Sequence, residues 1–296
     1  MDVEITSLGG DTYLLSEYDV QARDFNVSSI DILSYSESIE GRDGYVDYGA
    51  VYGSRRISVP IFMRAKDMMD YPLLRDELFA ITSGRRPVYL RELRKPTDKR
   101  PCPDMPDDKD GYVGSKRYLA RLTDVVELDQ QGLYGFGELV FETTELPFAE
   151  SILTTSTIDR HGLNYGDGWS YGMGLLYDDE SHKYTHTGTS FRIYNAGNVP
   201  VHPFEQDLKI TISNVTGSTN HLELKNITNG TTFRVTEAVS SGQTIVLDGP
   251  NITSNDLQYL RKTNRQFIEL DAGWNEFEID GATNAEVNFD FRFYYF

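Results

Sequence analysis

His182 and His186 stand four residues apart, just after Asp178, Asp179 and Glu180. On a helix this spacing sets two imidazoles on one face, as in many zinc sites. The local sequence D-D-E-S-H-K-Y-T-H-T-G has no apolar stripe and ends in turn residues, and no H-E-x-x-H is present. A helix needs an apolar face to bury, so the segment reads as an exposed polar hairpin and no metal is assigned. The run from Asp104 through Asp107, Asp108 and Asp110 to Gly111 has the acidity of a calcium loop. Aligning Gly111 with that loop's glycine puts Pro106 at the first ligand position and Arg117 at the last, and neither side chain supplies an oxygen. The glycine-rich Q-G-L-Y-G-F-G ending at Gly137 lacks the lysine and the strand–loop–helix context of a phosphate cradle. Its glycines read as permitting a bulge or bend in a strand.

Two clusters have the chemistry of binding. Arg85, Arg86, Arg91, Arg94, Lys95, Lys99 and Arg100 form a basic group with Glu92 and Asp98 between them. It suits an acidic partner, a neighbouring subunit or DNA passing through a channel, and the competing reading is an ordinary solvated surface. Tyr165, Trp169 and Tyr171 lie in N-Y-G-D-G-W-S-Y-G-M-G. Exposed aromatics beside carboxylates stack on sugars, so the three are candidate glycan-stacking residues. The competing reading is an aromatic plug closing the end of a sandwich. No carboxylate pair stands out by spacing. No catalytic residue, cofactor or metal ligand is assigned, and the chain reads as a protein that works by shape rather than as an enzyme.

The bulk numbers fit that reading. At 296 residues the chain is near the size at which a single core stops growing, so two domains are expected. Aromatics make up 12 %, with 19 Tyr and 15 Phe, which favours strands. The net charge of −18 is shared by both halves and argues against nucleic-acid or anionic-membrane binding, which need a basic footprint. Cys102 is the single cysteine, so no intrachain disulfide is expected. The N-terminus has no basic and apolar leader, and no apolar run approaches the roughly 20 residues of a membrane span. Synthesis in a cytoplasm without membrane insertion is the expectation. The N-x-S/T sequons at Asn26, Asn214, Asn226, Asn229 and Asn251 then read as chance matches.

The elements read as mainly β. Tyr13–Tyr18, Ser28–Tyr35, Arg55–Met63, Pro87–Glu92, Arg117–Val126 and Gly135–Thr143 are strand-like, with Pro60 marking an edge or a bulge. Gly41 and Gly44 flank a turn that needs positive φ. One helix is expected over about Tyr71 to Ser83. Asp70 would be its N-cap and Pro72 would lie in its first turn. Its apolar stripe would be Tyr71, Leu74, Leu78 and Ile81, opposite Arg75, Asp76 and Thr82, and Gly84 would stop it. The Pro-rich, charged segment 93–115 reads as a long loop or arm. A boundary near 147–148 separates two domains, 1–147 and 148–296. Beyond it, strands are expected at Ser190–Asn195, Leu208–Ser213, His221–Ile227, Thr232–Val235, Thr244–Leu247, Gln266–Leu270, Glu276–Ile279 and Glu286–Tyr294. Asn229-Gly230, Asp248-Gly249 and Asp280-Gly281 mark turns, and the spacing suits a sandwich.

Three stretches together carry a family resemblance. I-E-G-R-D-G-Y at 39–45, Y-G-S-R-R-I-S-V-P-I at 52–61 and Y-P-L-L-R-D-E-L-F-A at 71–80 resemble the siphophage distal tail (Dit) family. N-A-G-N-V-P-V-H-P at 195–203, L-D-G at 247–249 and L-D-A-G-W-N-E-F-E-I at 270–279 resemble the C-terminal domain of the same family. The resemblance implies a split-barrel-like N-terminal domain with one helix, forming a homo-hexameric ring, and a galectin-like C-terminal β-sandwich. It places such a ring in the virion at the tail tip or baseplate. There it would join the tail tube protein to the tail-associated and receptor-binding proteins, with no catalytic residues and no cofactor. The alternative is a carbohydrate-binding protein that recognises host cell-wall glycans through its C-terminal sandwich.

Overall fold

The computed structural model describes residues 1–94, 114–163 and 168–296. The chain divides into two compact units, Met1–Ala149 together with Phe296, and Glu150–Tyr295.

In the first unit the strands are β1 (Asp2–Ser7), β2 (Thr12–Leu14), β3 (Val20–Ala22), β4 (Asn26–Val27), β5 (Ile32–Glu37), β6 (Val46–Tyr52) and β7 (Arg56–Arg64). Helix α1 (Asp70–Thr82) follows, then β8 (Val88–Leu93), β9 (Lys116–Leu122), β10 (Asp129–Gln131) and β11 (Tyr134–Thr143). The main sheet runs β2-β1-β8-β9-β11-β7-β3, with β10 on β11 and β4 on β7. Strand β7 shows the period expected of it. Ile57, Val59, Ile61 and Met63 are buried while Arg56, Ser58, Pro60 and Phe62 are not.

Pro60 does not mark an edge, because β7 is bonded on both sides, to β11 and to β3 and β4. The Pro60 carbonyl accepts the N–H of Arg23, which lies between β3 and β4. A residue's N–H and C=O point the same way from a strand, so the missing donor falls where the pairing is already interrupted.

The helix lies where expected, and its stripe of Tyr71, Leu74 and Leu78 is buried in the core formed with Leu90, Leu139 and Phe141. Asp70 is its first helical residue rather than its cap. The Asp67 carboxylate takes the capping work, accepting the N–H groups of Met69 and Asp70 at 2.8 Å each. Thr82, expected outside, is buried and returns its hydroxyl to the Leu78 carbonyl at 2.8 Å, so the inward stripe ends on Thr82 with Ile81 only partly covered. The helix closes at Ser83 with φ −87°, so Gly84 is not needed as a left-handed stop.

Gly135 and Gly137 do not bend β11, which pairs with β7 without a register shift. They permit close approach instead. A Cβ on Gly135 would lie 2.6 Å from the Tyr71 hydroxyl oxygen and 2.7 Å from Met63 Cγ.

In the second unit β12 (Ala149–Ser151) leads to α2 (Thr155–His161), a helix not expected from the sequence, in a Ser/Thr-rich stretch without an apolar stripe. The strands are then β13 (Thr185–Gly188), β14 (Ser190–Asn195), β15 (Leu208–Thr216), β16 (Leu222–Asn226), β17 (Thr232–Val235) and β18 (Ile245–Asp248). They continue with β19 (Asn251–Ser254), β20 (Leu257–Gln258), β21 (Gly273–Asp280), β22 (Asn284–Phe291) and β23 (Tyr294–Tyr295). Two sheets result, β13-β22-β15-β18-β19-β20 and β14-β21-β16-β17. Phe277 of one and Phe289 of the other meet with ring centroids 4.9 Å apart. The alternation of β22 is as expected, with Val287, Phe289 and Phe291 buried. Residues 266–270 form no strand; Leu270 makes a single bridge to Val201.

The two motif turns of this unit have a physical basis. The Asn195 carboxamide accepts the Gly197 N–H at 3.0 Å and donates to the Val199 carbonyl at 3.1 Å. Gly197 runs against the backbone of Tyr294, whose oxygen would lie 2.5 Å from any added Cβ. Asn275 is fully buried and closes the turn before β21 through Asp271 N–H and carbonyl, at 2.8 Å each. Gly230, Gly249 and Gly281 all hold positive φ at the predicted turns.

Candidate assembly surface

Strands β5 and β6 form a two-stranded sheet of their own. All residues of β5 are exposed, and all of β6 except the half-exposed Val46. Between the strands, Gly41 and Gly44 hold φ of 79° and 84°, as the I-E-G-R-D-G-Y turn requires. The Arg42 N–H closes on the Ile39 carbonyl at 3.1 Å. A bulge sits in the arm, with Ser34 opposite Ala50 but Ser36 opposite Asp47. Gly49, at φ 96°, supplies the left-handed residue there, and the Asp47 carboxylate caps its N–H at 2.9 Å. The Tyr48 hydroxyl donates to Glu37 at 2.9 Å, which raises the phenol above its ordinary pKa. The hairpin leaves the body between Asp31 and Ser54, whose backbones pair at 3.0 Å. Near its base the Tyr52 ring meets Phe148 and Phe296 at 5.9 and 5.4 Å.

This arm carries an uncovered apolar surface. Ile32, Leu33, Tyr35, Ile39, Val51 and Tyr52 are exposed, and Tyr45 and Tyr48 are 75 % and 63 % accessible. Single exposed apolar residues are ordinary, but so many on one hairpin mark an interaction surface. An isolated two-stranded hairpin is also marginally stable in water and is stabilised by packing on something else. The sequence signal was present in β-rich 28–35 and in the turn. Strand β6, D-Y-G-A-V-Y with a mid-strand glycine, did not read as a partner strand.

The basic cluster does not act as one patch. Arg91 pairs with Glu4 at 3.3 Å and donates to the Gly114 carbonyl at 2.6 Å. Arg94 pairs with Glu92 at 2.5 Å and lies 3.7 Å from Asp24. Arg85 and Arg86 are exposed in the turn between α1 and β8 and form no ion pair among the described residues. Lys95, Lys99 and Arg100, with most of the 93–115 arm and the acidic 104–111 run, lie outside the described residues.

The sugar-stacking set is also divided. Trp169 is 1 % exposed and packs on Phe293 at 5.7 Å, so it plugs the sandwich and offers no face to a sugar. Tyr171 is exposed and Tyr165 lies outside the described residues. His182 and His186 do not share a helix face. His182 hydrogen-bonds the Leu176 carbonyl at 2.7 Å, and His186 stacks on Phe191 at 5.0 Å in β13. Burial lowers the His186 pKa, favouring the neutral ring. Among the described residues, His221, Glu223 and Asp280 bring ligand-type atoms within 4.8 Å of one another, which the sequence did not suggest. The Lys225 ammonium shares their groove with Glu278, and His221 is already bonded to Asp280 at 3.2 Å.

Comparison with known proteins bears on the first unit. Residues 8–143 match the family model of the phage tail protein RIFT-related domain. The N-terminal unit is similar to that domain over most of its length. The whole chain has the fold of the Dit protein of phage SPP1, described as a paradigm of the hub adsorption apparatus in phages infecting Gram-positive hosts. That match has a TM-score of 0.61 at 12 % identity and covers 98 % of this chain and 99 % of that one. A chain of the phage p2 baseplate in its activated conformation with Sr aligns at a TM-score of 0.40 and 10 % identity, covering 98 % and 97 %. No curated protein matches the sequence. The resemblance to distal tail proteins is thus borne out by both the RIFT-related domain and the Dit fold. The hairpin β5–β6 belongs to the matched domain.

Proposed function

We propose that this protein is a structural subunit of a siphophage tail tip. Its copies close into a ring, six per ring as in the resemblance, that joins the tail tube to the tail-associated and receptor-binding proteins. The observation that carries this reading is the β5–β6 arm. A unit similar to the phage tail RIFT-related domain extends a hairpin whose apolar side chains its own core leaves uncovered. The arm is read as lying on the next copy, a head-to-tail contact that closes when the rotation between copies divides a circle. Arg85 and Arg86 are read as facing acidic surface on a neighbouring copy, in a chain whose net charge is −18. The reading uses no catalytic group, cofactor, metal or nucleic acid, and it places the protein in the virion at the baseplate. Negative-stain images of the purified protein test it. Rings with a central opening are the expected result, and a field of single particles of monomer size at every concentration overturns the reading.

A further inference from the structure

We propose that the cleft between α2 and the outer face of the six-stranded sheet binds a neutral carbohydrate. The cleft has a volume of about 510 Å³, within the range of small-molecule sites. Its lining is entirely polar: Ser156, Asp159 and Arg160 from α2, Thr185 from β13, Lys209 and Thr211 from β15, and Asn288 and Asp290 from β22. This is a different place from the Trp169 region, and it lies wholly within the second unit.

One wall is already organised. Asp159 accepts the Tyr184 N–H at 2.8 Å and the Thr185 hydroxyl, and Asn288 donates to Thr185 Oγ1 at 2.7 Å. Asp290 is held by the Ser156 N–H at 3.3 Å. These bonds fix the carboxylates and leave lone pairs directed outward, since each ionised carboxylate offers about four acceptor sites. The neighbouring strand of the same face is unengaged. Lys209 and Thr211, in register with Asp290 and Asn288, make no side-chain hydrogen bond among the described residues. Fixed acceptors therefore lie beside open donors in one cleft.

The charges choose the ligand class. Arg160 and Lys209 balance Asp159 and Asp290, so the lining is close to neutral. An apolar ligand would strip water from eight polar side chains without replacing it. A metal ion would meet two cationic side chains, and a phosphate would meet two carboxylates. A sugar hydroxyl donates and accepts at once. A ring of such hydroxyls satisfies the carboxylates with its protons, and Lys209, Arg160 and Asn288 with its oxygens. The lack of an apolar platform makes the affinity modest, with Kd on the order of millimolar.

The test is titration of the full chain with glucose, galactose and N-acetylglucosamine to about 50 mM, followed by amide NMR shifts, with glycerol 3-phosphate as the charged control. The proposal expects saturable shifts with at least one sugar at Asp159, Thr185, Lys209, Thr211 and Asn288, and weaker ones with the phosphate. The variant Lys209→Ala with Thr211→Val removes the free donors without touching a bond within the fold, and it should weaken binding about tenfold. Asn288→Ala, checked for folding by its amide spectrum, should do the same. No saturable shift with any of the sugars overturns the proposal. So does binding that both variants leave unchanged, or binding confined to the phosphate. The readout lies inside one sandwich, so its failure leaves the ring reading untouched, and failure of the ring leaves this result standing.

Discussion

The two units handle apolar surface in opposite ways. The second unit buries its aromatics between two sheets, with Phe277, Phe289, Phe291 and Phe293 all at 1 % exposure or less. The outward positions on β22, the strand that supplies Phe289 and Phe291, are polar: Glu286, Asn288 and Asp290. The first unit has an equally dry core around Ile57, Leu78 and Phe141 but places Ile32, Leu33, Tyr35, Tyr45, Tyr48 and Val51 in water. A domain able to bury so much elsewhere has not failed to bury these. The lesson is that the first unit gathers its exposed apolar side chains on one hairpin, the surface that the proposed assembly would cover.

The largest effect should come from the arm. Arg42 lies at the exposed tip of the hairpin, so trypsin should nick the chain after it in dilute protein. On assembly, the rate of that cut should fall by at least about tenfold, because cleavage follows the population of accessible arm. Equal rates across a wide concentration range would place the arm outside any contact.

The next effect belongs to the second unit alone. Phe289→Ala removes a fully buried ring at the meeting of the two sheets and should cost about 3–5 kcal/mol. Trp169 and Trp274 are the only tryptophans and both lie in this unit, so intrinsic fluorescence follows it selectively. The variant should lower the fluorescence midpoint while a calorimetric transition of the first unit stays in place. A common shift of both transitions would mean that the units unfold together.

Alkali should act on the same unit. Burial raises the phenol pKa values of Tyr184, Tyr294 and Tyr295, and burial with the Glu237 contact pushes Tyr259 up to about 12. Folded-state values above the unfolded value of 10.0 mean that the unfolded chain loses these protons first. Their stabilising contribution is full below pH 10 and is lost as pH rises through the folded values. The fluorescence midpoint in urea should therefore fall steadily above about pH 10. A flat profile to pH 12 would show these rings to be solvated.

Much of this contrast was legible in the sequence. Patterns of period two gave β7 and β22, because a strand with one wet face must alternate. The Asn-Gly and Asp-Gly turns followed from φ alone. What was illegible depended on contacts distant in sequence. Helix α2 rests on β22, more than a hundred residues away, through the Thr155 hydroxyl bonded to the Phe289 carbonyl at 2.9 Å. Trp169 lies among glycines and looked suited to a sugar, but Phe293 covers it. Arg91 and Arg94 read as free cations because Glu4 and Asp24 reach them only after the sheet has formed. The arm itself was half visible, since no periodicity announces a strand exposed on both faces.

Smaller effects separate packing from assembly within the first unit. Gly135→Ala would press a methyl against Tyr71 and Met63 and should cost about 1–3 kcal/mol, read as a lower calorimetric midpoint of this unit. A neutral result would show that Tyr71, whose buried hydroxyl has no hydrogen-bond partner among the described residues, can move aside. Arg85→Glu with Arg86→Glu should change monomer stability by less than about 0.5 kcal/mol and instead alter how steeply assembly depends on salt. An unchanged salt dependence would remove these two side chains from the interface.

The central claim is that the arm joins copies of this chain, and solution mass tests it most directly. Light scattering across concentration and salt should give an oligomer for the unaltered protein, six copies if the ring is closed as proposed. The variant Tyr45→Asp with Val51→Asp should give a folded monomer, since both side chains are exposed and neither supports the core. A monomer for the unaltered protein under all conditions, or the same oligomer for the variant, would contradict the account.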